Sequence, residues 1–192
     1  MSIDRARWET RHAAAPGRMD SPSALLLRFL PSLPRGRALD LACGSGRHSL
    51  ALARSGFTVD AIDIASTALT GLQAIARREG LAVSPIQADL ETYPLPRDRY
   101  SVVVNVRYLQ RDLFDAIRGA LLPGGVAIFE TFLREQAQLG HPRNPAYLLD
   151  RGELRARFAG FEILEEAEGL METDGGACYL ARLVARRPGA SD

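Results

Sequence analysis

Short apolar runs alternate with amphipathic stretches along most of this chain. The runs Ala38–Ala42, Phe57–Asp63, Val83–Ala88, Tyr100–Asn105 and Val126–Phe132 read as strands, and the first, fourth and fifth of them are mostly apolar. Continuous apolarity over so short a length suits strands covered on both faces. Between them, Arg47–Ala53, Ser66–Arg78 and Asp112–Leu122 read as helices, and Ala68, Leu69, Leu72, Ile75 and Ala76 make one apolar helical face. Gly80 stops one of these helices and Pro123-Gly124-Gly125 closes another. Parallel strands need such crossovers, so the alternation predicts an α/β fold with a mostly parallel sheet.

The two ends depart from this rhythm. After a polar loop over 134–147, a helix from Asp150 or Arg151 to Phe158 precedes two neighbouring strands, Phe161–Glu168 and Ala177–Arg186. Their connection through Asp174-Gly175-Gly176 predicts a hairpin with an antiparallel edge. At the other end, residues 3–13 read as a short helix around Trp8, before the loop Ala15-Pro16-Gly17. A second helix is expected to run to Leu30, with Ser21 as its cap and Pro22 at its first position. The 192 residues are expected to form one domain, 1–192. It divides into a helical lid or cap over 1–34, a core over 35–187 and a frayed tail over 188–192.

Composition narrows the classes. The chain is 46% hydrophobic and 24% charged with a net charge of +1, ordinary for a soluble globular protein. Its arginines are scattered, so no basic stripe marks a nucleic-acid footprint. Cys43 and Cys178 form no CxxC or Cys/His cluster, so neither a metal site nor a disulfide framework is implied. No apolar leader or membrane-length segment is visible, and a cytoplasmic protein without membrane association is expected. Nothing in the sequence sets the oligomeric state.

The chemistry concentrates at Asp40-Leu41-Ala42-Cys43-Gly44-Ser45-Gly46, where a strand breaks into a glycine turn and then a helix. Such a turn offers backbone N–H groups at the carboxyl edge of a sheet, the place where open α/β sheets bind nucleotide-like ligands. A dinucleotide turn requires a third glycine where this chain has Ser49, and no G-x-x-x-x-G-K-[ST] loop is present. Asp63 ends the next strand, placed to accept ribose hydroxyls. Asp89 ends the third, placed to accept from an adenine amino group while Leu90 or Ile64 packs on the ring. Carboxylates around the turn suit a sulfonium or ammonium and repel a pyrophosphate.

This set resembles the class I S-adenosylmethionine-dependent methyltransferases. Asp40 to Gly46, Asp63, Asp89-Leu90, the strand ending at Asn105, and Leu122-Pro123-Gly124-Gly125 carry the resemblance. Ala42 stands where the family pattern has its first glycine. Trp8-Glu9-x-Arg11 and the CGSGRHSLALA helix look like the small tellurite-resistance-type and thiopurine-type branches. The resemblance implies a Rossmann-like seven-stranded sheet in the order 3-2-1-4-5-7-6 with the last strand antiparallel and helices on both faces. It also implies S-adenosylmethionine as cofactor and S-adenosylhomocysteine as product. The cofactor-binding candidates are Asp40, Ala42, Gly44, Gly46, Asp63, Ile64, Asp89, Leu90 and Asn105.

The family builds its acceptor site after the fourth strand. There Asn105-Val106-Arg107-Tyr108 lacks the D/N-P-P-Y of amino-nitrogen methylases, and no Pro-Cys nucleophile is present. A small-molecule acceptor is therefore expected, not a nucleic acid. Arg11, Arg107, Arg111, Arg143 and Tyr147 are substrate candidates, the guanidiniums suiting an anionic or carboxylate-bearing acceptor. Asn144-Pro145-Ala146-Tyr147 reads as a turn. Arg47 and His48 open a helix as cations against its macrodipole, which suits holding a carboxylate. A thiol or chalcogen oxyanion acceptor needs no strong base; for other acceptors His12, Tyr108 and His141 are the general-base candidates. The rival readings are a catalytically silent cofactor-binding module and an NAD-dependent oxidoreductase, the latter disfavoured by Ser49.

Overall fold

A computed structural model describes residues 3–14 and 20–189, apart from the side chains of Ile3 and Asp4. The loop at Ala15-Pro16-Gly17 and the end of the expected tail lie outside the described residues. Helix α1 (Ile3–Ala13) and helix α2 (Ala24–Phe29) precede strand β1 (Arg37–Leu41). Then follow α3 (Arg47–Arg54), β2 (Thr58–Asp63), α4 (Ser66–Glu79), β3 (Val83–Gln87) and β4 (Tyr100–Val106). The chain continues through α5 (Phe114–Ala120), β5 (Leu121–Phe132), α6 (Gln136–Leu139), α7 (Glu153–Arg157), β6 (Glu162–Met171) and β7 (Cys178–Arg186).

The seven strands pair in the order β3-β2-β1-β4-β5-β7-β6. The first five are parallel; β7 runs antiparallel to β5 and to β6. This is the topology that the family resemblance implies. Every residue of β4 is buried, because strands pair on both its sides and helices cover both its faces. One face, with Leu39, Leu41, Val103, Ala127 and Phe129, packs against α5 and α7. The other, with Ala38, Val102, Val104, Val126 and Ile128, packs against α2 and α3.

Local differences from the sequence reading have identifiable causes. Ser23, not Ser21, caps α2: its hydroxyl accepts from the Leu25 amide, and Pro22 precedes the cap. The polar loop over 134–147 contains α6 and a single 3-10 turn at Pro145–Tyr147. Pro123-Gly124-Gly125 sits inside β5, where pairing with β4 slips between Tyr100 and Val102. Gly125 is required by space there, since a Cβ would lie 2.8 Å from the Leu122 carbonyl and 3.0 Å from that of Tyr100.

Candidate active site

The parallel strands deliver their last residues to one edge of the sheet, and buried polar groups collect there. The chain turns immediately after β1, with Ala42 at φ 49°, Gly44 at φ 54° and Gly46 at φ 82°. Glycine adopts this left-handed backbone freely, whereas Ala42 carries a cost of about 1 kcal/mol. Gly46 is also fixed by space. A Cβ there would lie 2.3 Å from Leu72 Cδ1, so α3 and α4 could not approach as they do.

Asp63 braces the turn from the neighbouring strand. Its Oδ2 accepts from the Gly44 amide at 2.7 Å and its Oδ1 from the Ala65 amide at 2.9 Å. One carboxyl group thereby sets both the glycine turn and the start of α4. Asp40 is 1% exposed and accepts from Ser49 Oγ at 2.6 Å. Burial pushes its carboxyl up to about 7, against the pull of Ser49 and the nearby Arg47 charge. The position where a dinucleotide turn needs its third glycine therefore holds the hydroxyl that satisfies Asp40.

His48 corrects the expectation of two cations at the start of α3. Buried, it accepts from the Ser23 amide through Nε2 at 3.2 Å, and its Nδ1 lies 4.0 Å from Asp40 Oδ1. Burial, reinforced by the Arg47 and Arg107 charges, pushes it down to about 3, so the ring is neutral at pH 7. Only Arg47 brings charge to that helix end.

Beyond the turn, a run of hydrogen bonds ties the end of β4 to the segment after β3. Asn105 Nδ2 donates to the Tyr108 carbonyl at 2.7 Å, and the Tyr108 hydroxyl donates to Gln110 Oε1 at 2.7 Å. Gln110 Nε2 then donates to the Leu90 carbonyl at 3.3 Å. Asp89 Oδ1 accepts from the Glu91 amide at 3.1 Å, and the Ile64 carbonyl accepts from Gln87 Nε2. Asn105 itself is 1% exposed, and its Oδ1 has no hydrogen-bond partner. A buried carbonyl left without a donor costs about 1–3 kcal/mol, which a ligand N–H would recover.

Helix α1 lies over this floor. A Cβ on Gly44 would sit 3.5 Å from His12 Cε1, so the imidazole rests on the glycine turn. Trp8 lies 6.2 Å from the His12 ring, and Arg11 stacks 5.1 Å above Trp8. The helix is fastened by a residue that sequence reasoning missed. Glu9 accepts from the amides and hydroxyls of both Ser66 and Thr67, at 2.7 to 3.1 Å. It caps α4 from outside, since Ala65 at that helix end has no side-chain acceptor. The two hydroxyls foremost among these donors hold its carboxyl down to about 2.

The remaining substrate candidates scatter. Arg111 is engaged elsewhere: Nε and Nη2 bind Glu153 at 2.8 and 2.9 Å, and Nη2 and Nη1 donate to the Leu148 and Ala146 carbonyls. Contrary to its reading as an acceptor-site cation, it fastens the loop after α6 to α7. His141 and Arg143 are exposed. Tyr147 is 38% exposed on the expected turn, where Asn144 Oδ1 accepts from the Ala146 amide at 3.0 Å. Arg107, at φ 59°, stacks its guanidinium 5.2 Å above the Phe132 ring.

Residues 38–125 match the model of a methyltransferase domain family. The fold aligns with TehB from Haemophilus influenzae at a TM-score of 0.76, with 19% identity, over 94% of this chain and 67% of that one. It aligns with an S-adenosylmethionine dependent methyltransferase from Mesorhizobium loti at 0.68, with 20% identity, over 86% and 99%. Residues 38–125 thus match a methyltransferase domain, and the chain takes the fold of S-adenosylmethionine-dependent methyltransferases, a likeness that implies S-adenosylmethionine as the cofactor.

Curated relatives point to two kinds of acceptor. A ubiquinone biosynthesis O-methyltransferase of Xanthomonas oryzae is 31% identical over 91% of this chain. A ribosomal RNA small subunit methyltransferase C of Alcanivorax borkumensis is 33% identical over 57% of it. This chain spans 61% of the first relative and 37% of the second. The expected exclusion of nucleic acid finds no support in these relatives. The residues at the carboxyl edge fit the cofactor: Asn105 Oδ1 is an unused acceptor suited to an ammonium, and Asp63 and Asp89 suit hydroxyl and amino donors.

Proposed function

We propose that this domain catalyses methyl transfer from S-adenosylmethionine to a small-molecule acceptor, by in-line attack on the sulfonium methyl. The observation that carries the reading is the unpaired, buried Oδ1 of Asn105 on the same sheet edge as the Asp63-braced glycine turn. In this reading Asp63 accepts the ribose hydroxyls and Asp89 the adenine amino group. Ile64 and Leu90 flank the ring, Asn105 accepts from the ammonium, and Ala42, Gly44 and Gly46 let the backbone approach closely. Asp40 stays beneath, tethering α3 through Ser49.

Bound S-adenosylmethionine supplies an activated methyl, and the protein contributes position and exclusion of water. His12, on α1 and held by the Glu9 clamp, lies on the turn, which supports the capping role expected of the N-terminal segment (1–34) over the 35–187 core. A thiol or chalcogen oxyanion then needs only alignment. A hydroxyl or ammonium acceptor also needs a base, and His12 lies nearest the turn among the three candidates. Scattered arginines and the absence of D/N-P-P-Y favour a small acceptor. The two free cysteines, both buried, accord with a reducing cytoplasm.

The test is an acceptor screen with small thiols, chalcogen oxyanions, phenols and carboxylates beside total ribosomal RNA, reading S-adenosylhomocysteine release. Turnover with a small molecule is expected. Turnover on RNA alone would replace the acceptor class, and cofactor binding without any turnover would favour the silent module.

A further inference from the structure

The carboxyl edge over β4 and β5 holds an excess of positive charge that the methyl-transfer reading does not use. Arg47 is mostly buried, and its Nη1 donates to the Ser21 carbonyl at 3.2 Å. Two residues on, Ser23 Oγ donates to Glu130 Oε2 at 3.0 Å, which places this end of the Arg47 side chain on the β5 side. Arg107 reaches the same place from β4. Its amide donates to the Glu130 carbonyl at 2.7 Å, and its guanidinium stacks over Phe132, the last residue of β5.

The neighbouring carboxylates are already committed. Glu130, 3% exposed, binds Arg182 Nε at 2.7 Å as well as Ser23. Asp40 is bound by Ser49 and held up to about 7. Asp20 lies 3.9 Å from Arg47 and is 61% exposed, so solvent screens it. His48, neutral, adds nothing. Among the described residues, Arg47, Arg107 and Arg182 thus face Glu130 and a screened Asp20. The Arg47 guanidinium is pulled below its usual range, chiefly by burial and then by the Arg107 charge.

Arg107 also holds a backbone conformation that arginine rarely adopts, at φ 59°. Non-glycine residues in that region cost about 1–3 kcal/mol and concentrate at functional sites. The strain sets the side chain on the aromatic face of Phe132, where a planar guanidinium keeps its donor edge open.

We propose that Arg47 and Arg107 form a clamp for the carboxylate of the methyl acceptor, which makes a small organic acid the substrate class. This rests on the methyltransferase reading of the same edge. Phe132 stands three strands from Asp63, about 14 Å at about 4.8 Å per strand. A cofactor anchored by its ribose at β2 extends towards β4, which leaves the Phe132 side of the edge, over β5, to the acceptor.

The test follows the arginine Nε–H signals of labelled protein by NMR during titration with formate, acetate and 4-hydroxybenzoate. Acetamide and 4-hydroxybenzamide serve as neutral controls, and each series is run with and without saturating S-adenosylhomocysteine. At least one carboxylate is expected to move the Arg47 and Arg107 signals saturably in both states, with the amides silent. Arg107→Asn keeps a residue that tolerates left-handed backbone and removes the cation; it should weaken carboxylate binding about tenfold or more. Arg107→Lys should fall between, because an ammonium lacks the bidentate fork.

Saturation of both arginines by S-adenosylhomocysteine itself, with no later carboxylate response, would assign the clamp to the cofactor and overturn the proposal. So would an absence of response to every carboxylate, or equal binding to Arg107→Asn. Failure to bind S-adenosylhomocysteine while carboxylates still move both signals would instead strike the methyltransferase reading and leave the clamp standing.

Discussion

The two halves of the carboxyl edge are built differently. Over β1 and β2, positions are set by backbone geometry and short-range bonds: the left-handed turn at Gly44 and Gly46, Asp63 on the Gly44 amide, and Ser49 beneath on Asp40. Over β4 and β5, positions are set by long charged side chains from distant segments, with Arg111 on Glu153, Arg182 on Glu130 and Arg107 on Phe132. The first half suits a ligand of constant shape, and the second can change its chemistry by exchanging a few side chains. Two relatives of this chain, a ubiquinone biosynthesis O-methyltransferase and a ribosomal RNA methyltransferase, differ in the acceptors that their names imply.

Breaking the first half should cost most. Gly46→Ala sets a methyl 2.3 Å from the fully buried Leu72 at φ 82°. Overpacking and backbone strain together predict a loss of about 3 kcal/mol or more in denaturant unfolding. A loss below about 1 kcal/mol would mean that α3 and α4 part easily and that the close approach is not what the glycine serves.

In the second half, Arg111→Ala removes a bidentate ion pair and strands two carbonyls, yet touches nothing on β1 or β2. The expected result is a loss of about 1–2 kcal/mol in stability with S-adenosylhomocysteine affinity unchanged. A parallel fall in cofactor affinity would show that the two halves are coupled.

The smallest effect concerns the cover over the first half. Glu9 accepts its four bonds only when ionised, and its carboxyl is held from 4.5 down to about 2. The clamp is therefore intact above pH 4.5 and is lost as pH falls towards 2. Trp8 is the only tryptophan and neighbours Glu9 in α1, so its fluorescence should report that release. Glu9→Gln should lack this transition. An identical acid profile in both proteins would detach Glu9 from the docking of α1.

Legibility in the sequence follows the range of the contacts. The alternation of apolar runs placed five strands and the hairpin signal the last two, and the glycine turn at Gly44 and Gly46 and the strand-end position of Asp63 could be read because both are local features. Asp40 lies in an apolar run and needs a partner, but Ser49 lies nine residues away and in the sequence reads only as a missing glycine. Glu9 meets Ser66 across 57 residues, and Arg111 meets Glu153 across 42. No periodicity or spacing rule encodes such pairings. His48 looked like a cation until the burial that keeps it neutral was visible.

The central claim is that Asp63 and the turn it braces hold S-adenosylmethionine. Calorimetric titration of S-adenosylhomocysteine, with NAD as the comparison, into the native protein and Asp63→Ala tests it most directly. The native protein should bind S-adenosylhomocysteine and not NAD, and the variant should lose about 1–3 kcal/mol, roughly five- to 150-fold in Kd. Equal affinity in both proteins, or binding of NAD alone, would contradict the account.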